Sequence, residues 1–284
     1  MGYVNLKAVL LDAQKNRYAV GAFNIVDYIT TSAVIKAAVK QKSPVVIQTS
    51  VKTIKQFGYK ALVSWVSMLA ENVSVPVVLH LDHCKELDVI EKCISTGWSS
   101  VMIDASSFPL DENIRMTSEV VAMAKDRNVT VEGEVGAILG VEDDVFIKEN
   151  ESHLADIDSC LKYVNETGID LLAPAIGTAH GVYKREPKID FELISEISAR
   201  TKMPLAIHGG TGLSVDMFKK CIECGGTKIN ISTDIKQVFR NSFEQYYKNN
   251  PDDYEPISSI KYLEEQVIRN VAVYFDIFGS IDRA

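Results

Sequence analysis

The sequence predicts a (β/α)8 TIM barrel, an α/β fold running through residues 1–284 as a single domain. Three observations lead there. Short β-branched runs alternate with longer stretches of helical period, the pattern of βα units on a parallel sheet. Eight such runs are present. No composition break, Pro/Ser linker or low-complexity tract interrupts them, and 284 residues are used up by one barrel of about 250 residues with its loops. A doubly wound open sheet is the alternative, but nothing in that architecture requires eight units.

The runs in order are 18–24 (YAVGAFN), 44–50 (PVVIQTS), 76–83 (PVVLHLDH), 99–106 (SSVMIDAS), 130–136 (TVEGEVG), 169–177 (IDLLAPAIG), 203–210 (MPLAIHGG) and 227–233 (TKINIST). Pro44, Pro76 and Pro204 stand at or beside the start of their runs. That suits a first strand residue, whose amide is not yet needed in the ladder. Between the runs, 31–41 carries Ala33, Ile35, Ala37, Ala38 and Val39, and 85–95 opens after the third run. The stretch 113–128 places Ile114, Val120, Val121 and Ala124 near helical spacing, and 191–201 and 214–224 each begin on acidic or hydroxyl residues. The polar connection 138–156 has no helical period and exceeds the usual βα loop, so a mobile active-site loop is expected there.

The composition, 46% hydrophobic and 24% charged, is that of a globular protein and excludes disorder or collagen-like repeats. Acids outnumber bases 38 to 30, for a net charge of −8, which argues against nucleic-acid binding. Anionic small molecules stay open, because backbone amides and a metal can hold them. No apolar run reaches the roughly 18 residues of a membrane span. The first 20 residues lack a signal-peptide core, and Leu6 breaks the myristoylation pattern. Five cysteines, an odd number, suit a reducing cytosol, so a cytoplasmic location is expected. Cys221 and Cys224 form a C-x-x-C without a second pair and are expected to have no metal or redox role.

In this fold the site is built at the carboxyl ends of the strands. Those ends carry Asn24, Ser50, Asp82 and His83, Asp104, Glu132 and Glu134, His180, His208, and Asn230 with Ser232. Three of the five histidines, His83, His180 and His208, fall on three different ends. Three imidazoles and an open position suit a catalytic Zn2+. His80 lies within its run and reads as a core or supporting histidine, and His153 as solvated. Asp82 has three readings: a carboxylate orienting a ligand, a general acid/base, or an N-cap for the following helix. Neighbouring strand residues face opposite ways, so Asp82 and His83 both reach the site only if the strand turns there. Glu132 and Glu134 share one face and read as paired carboxylates, a metal position or salt-bridge partners. Gly177 to Gly181, His208 to Gly212 and Asn230 to Thr233 are turns at loops six to eight, where such barrels often bind phosphate on backbone amides.

Together these residues resemble the class II, metal-dependent ketose-bisphosphate aldolases, in the shorter branch that includes tagatose-bisphosphate aldolases. The resemblance runs from GAFN at 21–24 to FGS at 278–280, through LHLDH (79–83), SVMIDAS (100–106), VEGEVG (131–136), AIGTAHG (175–181), HGGTGL (208–213) and KINIST (228–233). It implies that His83, His180 and His208 bind one zinc per subunit. Asp82 would act as acid/base on the C4 hydroxyl of the ketose. Glu134 would be an extra metal-associated carboxylate, and Glu142 the base that takes a proton from dihydroxyacetone phosphate. Gly181, Gly209, Gly210, Thr211, Asn230, Ile231, Ser232 and Thr233 would hold the phosphate, with a monovalent cation (Na+ or K+) nearby. Asn24, Ser50 and Asp104 are expected to line the substrate site.

Aldol cleavage leaves a carbanion next to a carbonyl, which a Lewis-acid metal or a Schiff-base lysine can stabilise. Lys228 lies on the last run, but three strand-end histidines make the metal route the more economical, and Lys228 reads as a structural or supporting lysine. The expected reaction is reversible cleavage of a phosphorylated ketose to dihydroxyacetone phosphate and an aldehyde. Fructose- and tagatose-1,6-bisphosphate lead as substrates. The alternatives are 6-phospho-5-dehydro-2-deoxygluconate or a longer-chain sugar phosphate. A non-catalytic phosphosugar-binding or accessory subunit is a reading of another class, against which Asp82, the three histidines and Glu142 argue. The resemblance implies a homodimer or homotetramer. The sequence departs from the family at Cys84 after the histidine, at Ser107-Phe108-Pro109, at Val51-Lys52 after Ser50 and at Gly140-Val141-Glu142.

Overall fold

The structure is a computed structural model that describes residues 2–142, 145–147, 153–181, 183 and 185–284; of 139–142 and 145–147 it describes the backbone alone. In chain order the elements are β1 (Gly2–Tyr3), α1 (Leu6–Asn16), β2 (Val20–Asn24), α2 (Tyr28–Gln41), β3 (Val45–Thr49), α3 (Val51–Phe57), α4 (Tyr59–Ala70), β4 (Pro76–Cys84), α5 (Leu87–Thr96), β5 (Ser100–Ile103), α6 (Leu110–Ala124) and β6 (Thr130–Val135). There follow β7 (Leu139–Glu142), β8 (Val145–Ile147), α7 (Ile157–Thr167), β9 (Leu171–Pro174), β10 (Ala179–His180), α8 (Phe191–Thr201), β11 (Leu205–Ile207), α9 (Val215–Glu223), β12 (Gly226–Ile231), α10 (Thr233–Asn249) and α11 (Pro256–Ile277).

Eight of these strands, β2, β3, β4, β5, β6, β9, β11 and β12, pair in parallel in that order, and β12 closes onto β2. They are the eight runs of the sequence. β1 adds a two-residue parallel pairing at the start of β4, before β5 begins to pair there. The connection 138–156 contains more order than its polarity suggested: β7 and β8 pair antiparallel, and β7 pairs in parallel with β10. Of that expected mobile loop, 143–144 and 148–152 lie outside the described residues.

Side chains alternate across each barrel strand. Phe23, Ile47, Leu79, Leu81, Ile103, Val131, Leu172, Ile207 and Ile229 face outward into one large apolar cluster under the helices. The inward positions divide into two levels. Val20, Val46, Val78, Met102, Leu171 and Ala206 form a second apolar cluster, closed from below by Leu6, Val9, Leu10 and Ala13 of α1. Above it the inward residues are Asn24, Gln48, His80, Asp82, Asp104, Glu132, Glu134, His208, Lys228 and Asn230, each at most 3% exposed.

Helix starts follow their caps. Asp27 and Thr30 form a reciprocal capping box, so α2 begins at Tyr28, earlier than the apolar period alone indicated. Asp156, Asp190 and Ser214 cap α7, α8 and α9 by the same side-chain-to-amide bond.

Candidate active site

Two chain irregularities bring Asp82 and His83 to the same place. The β4–β5 register advances three residues on β4, Leu81 to Cys84, against two on β5, Val101 to Ile103. His83 sits in this bulge at φ +39, a left-handed conformation that is strained for a side chain larger than glycine. The extra residue turns the strand, so both side chains face the barrel mouth. The helix-cap reading of Asp82 is excluded, since α5 starts at Leu87 with Glu86 at its N-cap position.

His83, His180 and His208 converge, with one ring nitrogen of each within 4.8 Å of the others. The ring centroids of His83 lie 4.8 Å from His180 and 4.6 Å from His208. His83 Nε2 and His208 Nδ1 face each other at 2.7 Å. The far nitrogens meet carboxylates: His83 Nδ1 lies 3.1 Å from Asp104 Oδ2, and His208 Nε2 lies 2.8 Å from Glu132 Oε1. A carboxylate behind a histidine fixes the tautomer and aims the opposite nitrogen, the arrangement that supports metal ligands. The donor set therefore fits a zinc ion. A second, deeper group of His83, Asp104 and Glu134 also has donor atoms within 4.8 Å of one another, which is where the structure places Glu134.

Loop six is tied to loop seven beside this cluster. The Tyr183 hydroxyl accepts from the Ala179 amide at 3.0 Å and donates to the Gly209 carbonyl at 2.7 Å. Gly209 has φ +68, and a side chain there would run into the Ala179 carbonyl. His180 is thus held against the turn that follows His208.

Asp82 is held from both sides. Its Oδ2 accepts from Asn24 Nδ2 at 2.9 Å and its Oδ1 from Asn230 Nδ2 at 3.2 Å. Gln48 Nε2 in turn donates to Asn24 Oδ1 at 2.9 Å. The charges in this enclosure are set by one another. Burial opposes charge on His83, but Asp82, Asp104 and Glu134 outweigh it and raise its pKa well above the ordinary imidazole value. Burial also works against Asp104, yet its hydrogen bond and charge contact with His83 lower its pKa below the usual carboxylate range. Glu134 goes the other way: burial, then the charge of Asp104, raise its pKa well above that range.

The predicted phosphate segments also meet. Gly210 donates its amide to the Asn230 carbonyl at 3.2 Å, and the Thr211 hydroxyl accepts from the Asp234 amide at 3.3 Å. Ser232 precedes α10 without capping it, and its hydroxyl is buried with no hydrogen-bond partner among the described residues. Thr233 opens that helix. Ile231 faces the outer core, so only its backbone is directed to this turn. Gly181 takes φ +88 directly after His180.

Two further expected site residues are Ser50 and Glu142. Ser50 Oγ accepts from the Thr53 amide at 3.4 Å and caps α3. The backbone of Glu142 lies on β7 opposite Val145, and its side chain is outside the described residues. Gln48 and Tyr183 were not anticipated. Gln48 is recoverable from the alternation, since β3 registers it opposite His80 of β4.

Residues 4–283 match the family model described as fructose-bisphosphate aldolase class-II. The chain is 43% identical to the 6-phospho-5-dehydro-2-deoxy-D-gluconate aldolase of Bacillus licheniformis, across 100% of this chain and 97% of that one. It is 39% identical to the fructose-bisphosphate aldolase of Geobacillus stearothermophilus, across 100% and 99%. Among solved structures, the YdjI aldolase from Escherichia coli K12 superposes with a TM-score of 0.88 at 30% identity over 99% of both chains.

Proposed function

The chain belongs to the class II fructose-bisphosphate aldolase family and is a carbon–carbon lyase, and on that premise we propose that it is a zinc-dependent aldolase that reversibly cleaves a phosphorylated ketose into dihydroxyacetone phosphate and an aldehyde. The observation that carries this reading is the convergence of three imidazoles, two of them backed by carboxylates, beside a buried, doubly hydrogen-bonded Asp82.

His83, His180 and His208 would hold the metal. Zinc held there would supply Lewis acidity to the charge that develops next to the carbonyl. Asp82 accepts the proton of the C4 hydroxyl during cleavage and returns it during condensation. Asn24 and Asn230 fix the carboxylate for that transfer. Asp104 and Glu132 orient His83 and His208, and Glu134 offers a neighbouring metal position. Glu142 is the proposed base that takes the proton from dihydroxyacetone phosphate. The phosphate rests on the turns at Gly181, Gly209, Gly210 and Thr211 and on residues 230–233. The partnerless Ser232 hydroxyl and the N-terminus of α10 support that placement, because exposed helix amides attract anions. Na+ or K+ beside the phosphate and a homodimer or homotetramer complete the proposal.

Fructose- and tagatose-1,6-bisphosphate are the leading substrates. The 43% identity to a 6-phospho-5-dehydro-2-deoxy-D-gluconate aldolase supports that compound as a second reading. The two readings share a phosphorylated ketone half and differ at the far end, a phosphate against a carboxylate. Val51 and Lys52 after Ser50 stand where the sequence departs from the bisphosphate pattern, at that far end. Release of dihydroxyacetone phosphate is to be measured over a panel containing both bisphosphates, the carboxylate compound and longer sugar phosphates. One of them should be cleaved with clear preference. Stoichiometric zinc with no cleavage of any would leave a binding protein and refute the enzyme reading.

A further inference from the structure

Lys228 is fully buried inside the barrel, and no step above uses it. Its Nζ lies 2.9 Å from Glu132 Oε2 and donates to Asn230 Oδ1 at 2.8 Å. Each partner has a second contact that enters the site. Glu132 Oε1 lies 2.8 Å from His208 Nε2, and Asn230 Nδ2 donates to Asp82 Oδ1 at 3.2 Å. The ammonium therefore stands at the root of two branches, one ending on a metal-ligand histidine and the other on the acid/base carboxylate.

An ammonium has donors only. It selects the oxygen end of the Asn230 amide, which leaves the NH2 end for Asp82. It also anchors one oxygen of Glu132, which leaves the other to accept the Nε2 proton of His208. The neutral ring then presents Nδ1 as its bare nitrogen, and Nδ1 is the atom facing His83. His80 approaches the same Glu132 oxygen at 3.4 Å, but burial, then the charge of Lys228, lower its pKa well below the imidazole value, so it brings no charge of its own.

We propose that Lys228 is a positioning residue that sets both the His208 tautomer, through Glu132, and the orientation of the Asn230 amide toward Asp82. The inference rests on reading the three histidines as metal ligands and Asp82 as the acid/base.

The test replaces Lys228 by methionine in the full-length protein and loads it with Co2+, whose visible absorption reports ligand geometry. The Co2+ dissociation constant, measured by chelator competition, should rise about 10- to 100-fold, as for other losses of support behind a metal ligand. The visible spectrum should change, and kcat on the best ketose phosphate of the panel should fall at saturating metal with little change in KM. A lysine needed only for folding would lower the melting temperature and leave Co2+ affinity and spectrum as in the parent, which would overturn the proposal. If Lys228→Met does not fold, Lys228→Met with Glu132→Gln removes both charges and leaves no lone buried ion. The same cobalt losses are expected there, and parent-like cobalt binding would overturn the proposal equally. His208→Ala tests the premise separately: undiminished Co2+ binding in that variant would refute the ligand assignment.

Discussion

On β3 the inward residues are Val46 and then Gln48; on β4 they are Val78 and then His80 and Asp82; on β12 they are Lys228 and Asn230. The same strands, with the same alternation, thus build an apolar lower level and a polar upper one. The lower level is held by close packing against the α1 plug, which is non-directional and depends on volume. The upper level is held by hydrogen bonds and ion pairs, where each group fixes the direction of the next and a missing partner leaves a buried polar atom stranded. The comparison teaches that rigidity for the site comes from two sources. Changes below should alter stability and leave the chemistry alone, while changes above should alter the chemistry and cost stability wherever they strand a buried partner.

The sharpest break is at Asp82. Asp82→Ala should retain zinc and the fold but lose about 10²- to 10⁴-fold in kcat; unchanged turnover would remove its acid/base role. Leu171→Ala is the matching change below. It should cost about 2–5 kcal/mol of unfolding free energy in denaturant titration, with the zinc dissociation constant and kcat at 25 °C as in the parent. A large loss of metal affinity there would show that the two levels are not separable.

Acidity probes the upper level through His83. Its raised pKa means that zinc must displace a proton from the metal-free site, so affinity should fall about tenfold per pH unit below the folded-state value and level off above it. The same proton stabilises the metal-free fold: that contribution is complete below the unfolded imidazole value and is lost as pH rises through the folded one. Titrating zinc affinity against pH with a competing chelator checks this; a flat profile from pH 5 to 8 would exclude a proton-bearing His83. The smallest effect belongs to Ser50. Ser50→Ala should cost about 1 kcal/mol through loss of the α3 cap and leave KM unchanged, whereas a higher KM would assign the hydroxyl to the substrate.

Much of this was legible because barrel strands impose a strict period. The eight runs became the eight barrel strands, and His83 and His208 from barrel-strand ends meet His180, which lies past the end of β9 on β10. What stayed hidden depended on partners rather than period. Whether Asp82 and His83 could share a face turned on a one-residue bulge, which is set by pairing with β5. The cap that Ser50 supplies to α3 was not read from the sequence, because a hydroxyl between a strand and a helical stretch suits a cap or a substrate contact equally. The β7–β8 pairing crosses a polar stretch whose side chains carry no alternation. The helix α1 precedes the first run and shows its purpose only once the barrel above it needs closing. Lys228 was visible as a lysine on a strand, but its two branches exist only when β12, β6 and β4, which do not pair with one another, face each other across the barrel interior.

The most direct measurement is release of dihydroxyacetone phosphate from the preferred ketose phosphate before chelation, after chelation, and after zinc is restored, with borohydride added in parallel. A metal-dependent aldolase built on His83, His180 and His208 loses its activity with the metal, regains it with zinc, and forms no borohydride-trapped adduct. Activity that survives chelation, with a lysine adduct trapped by borohydride, would contradict it.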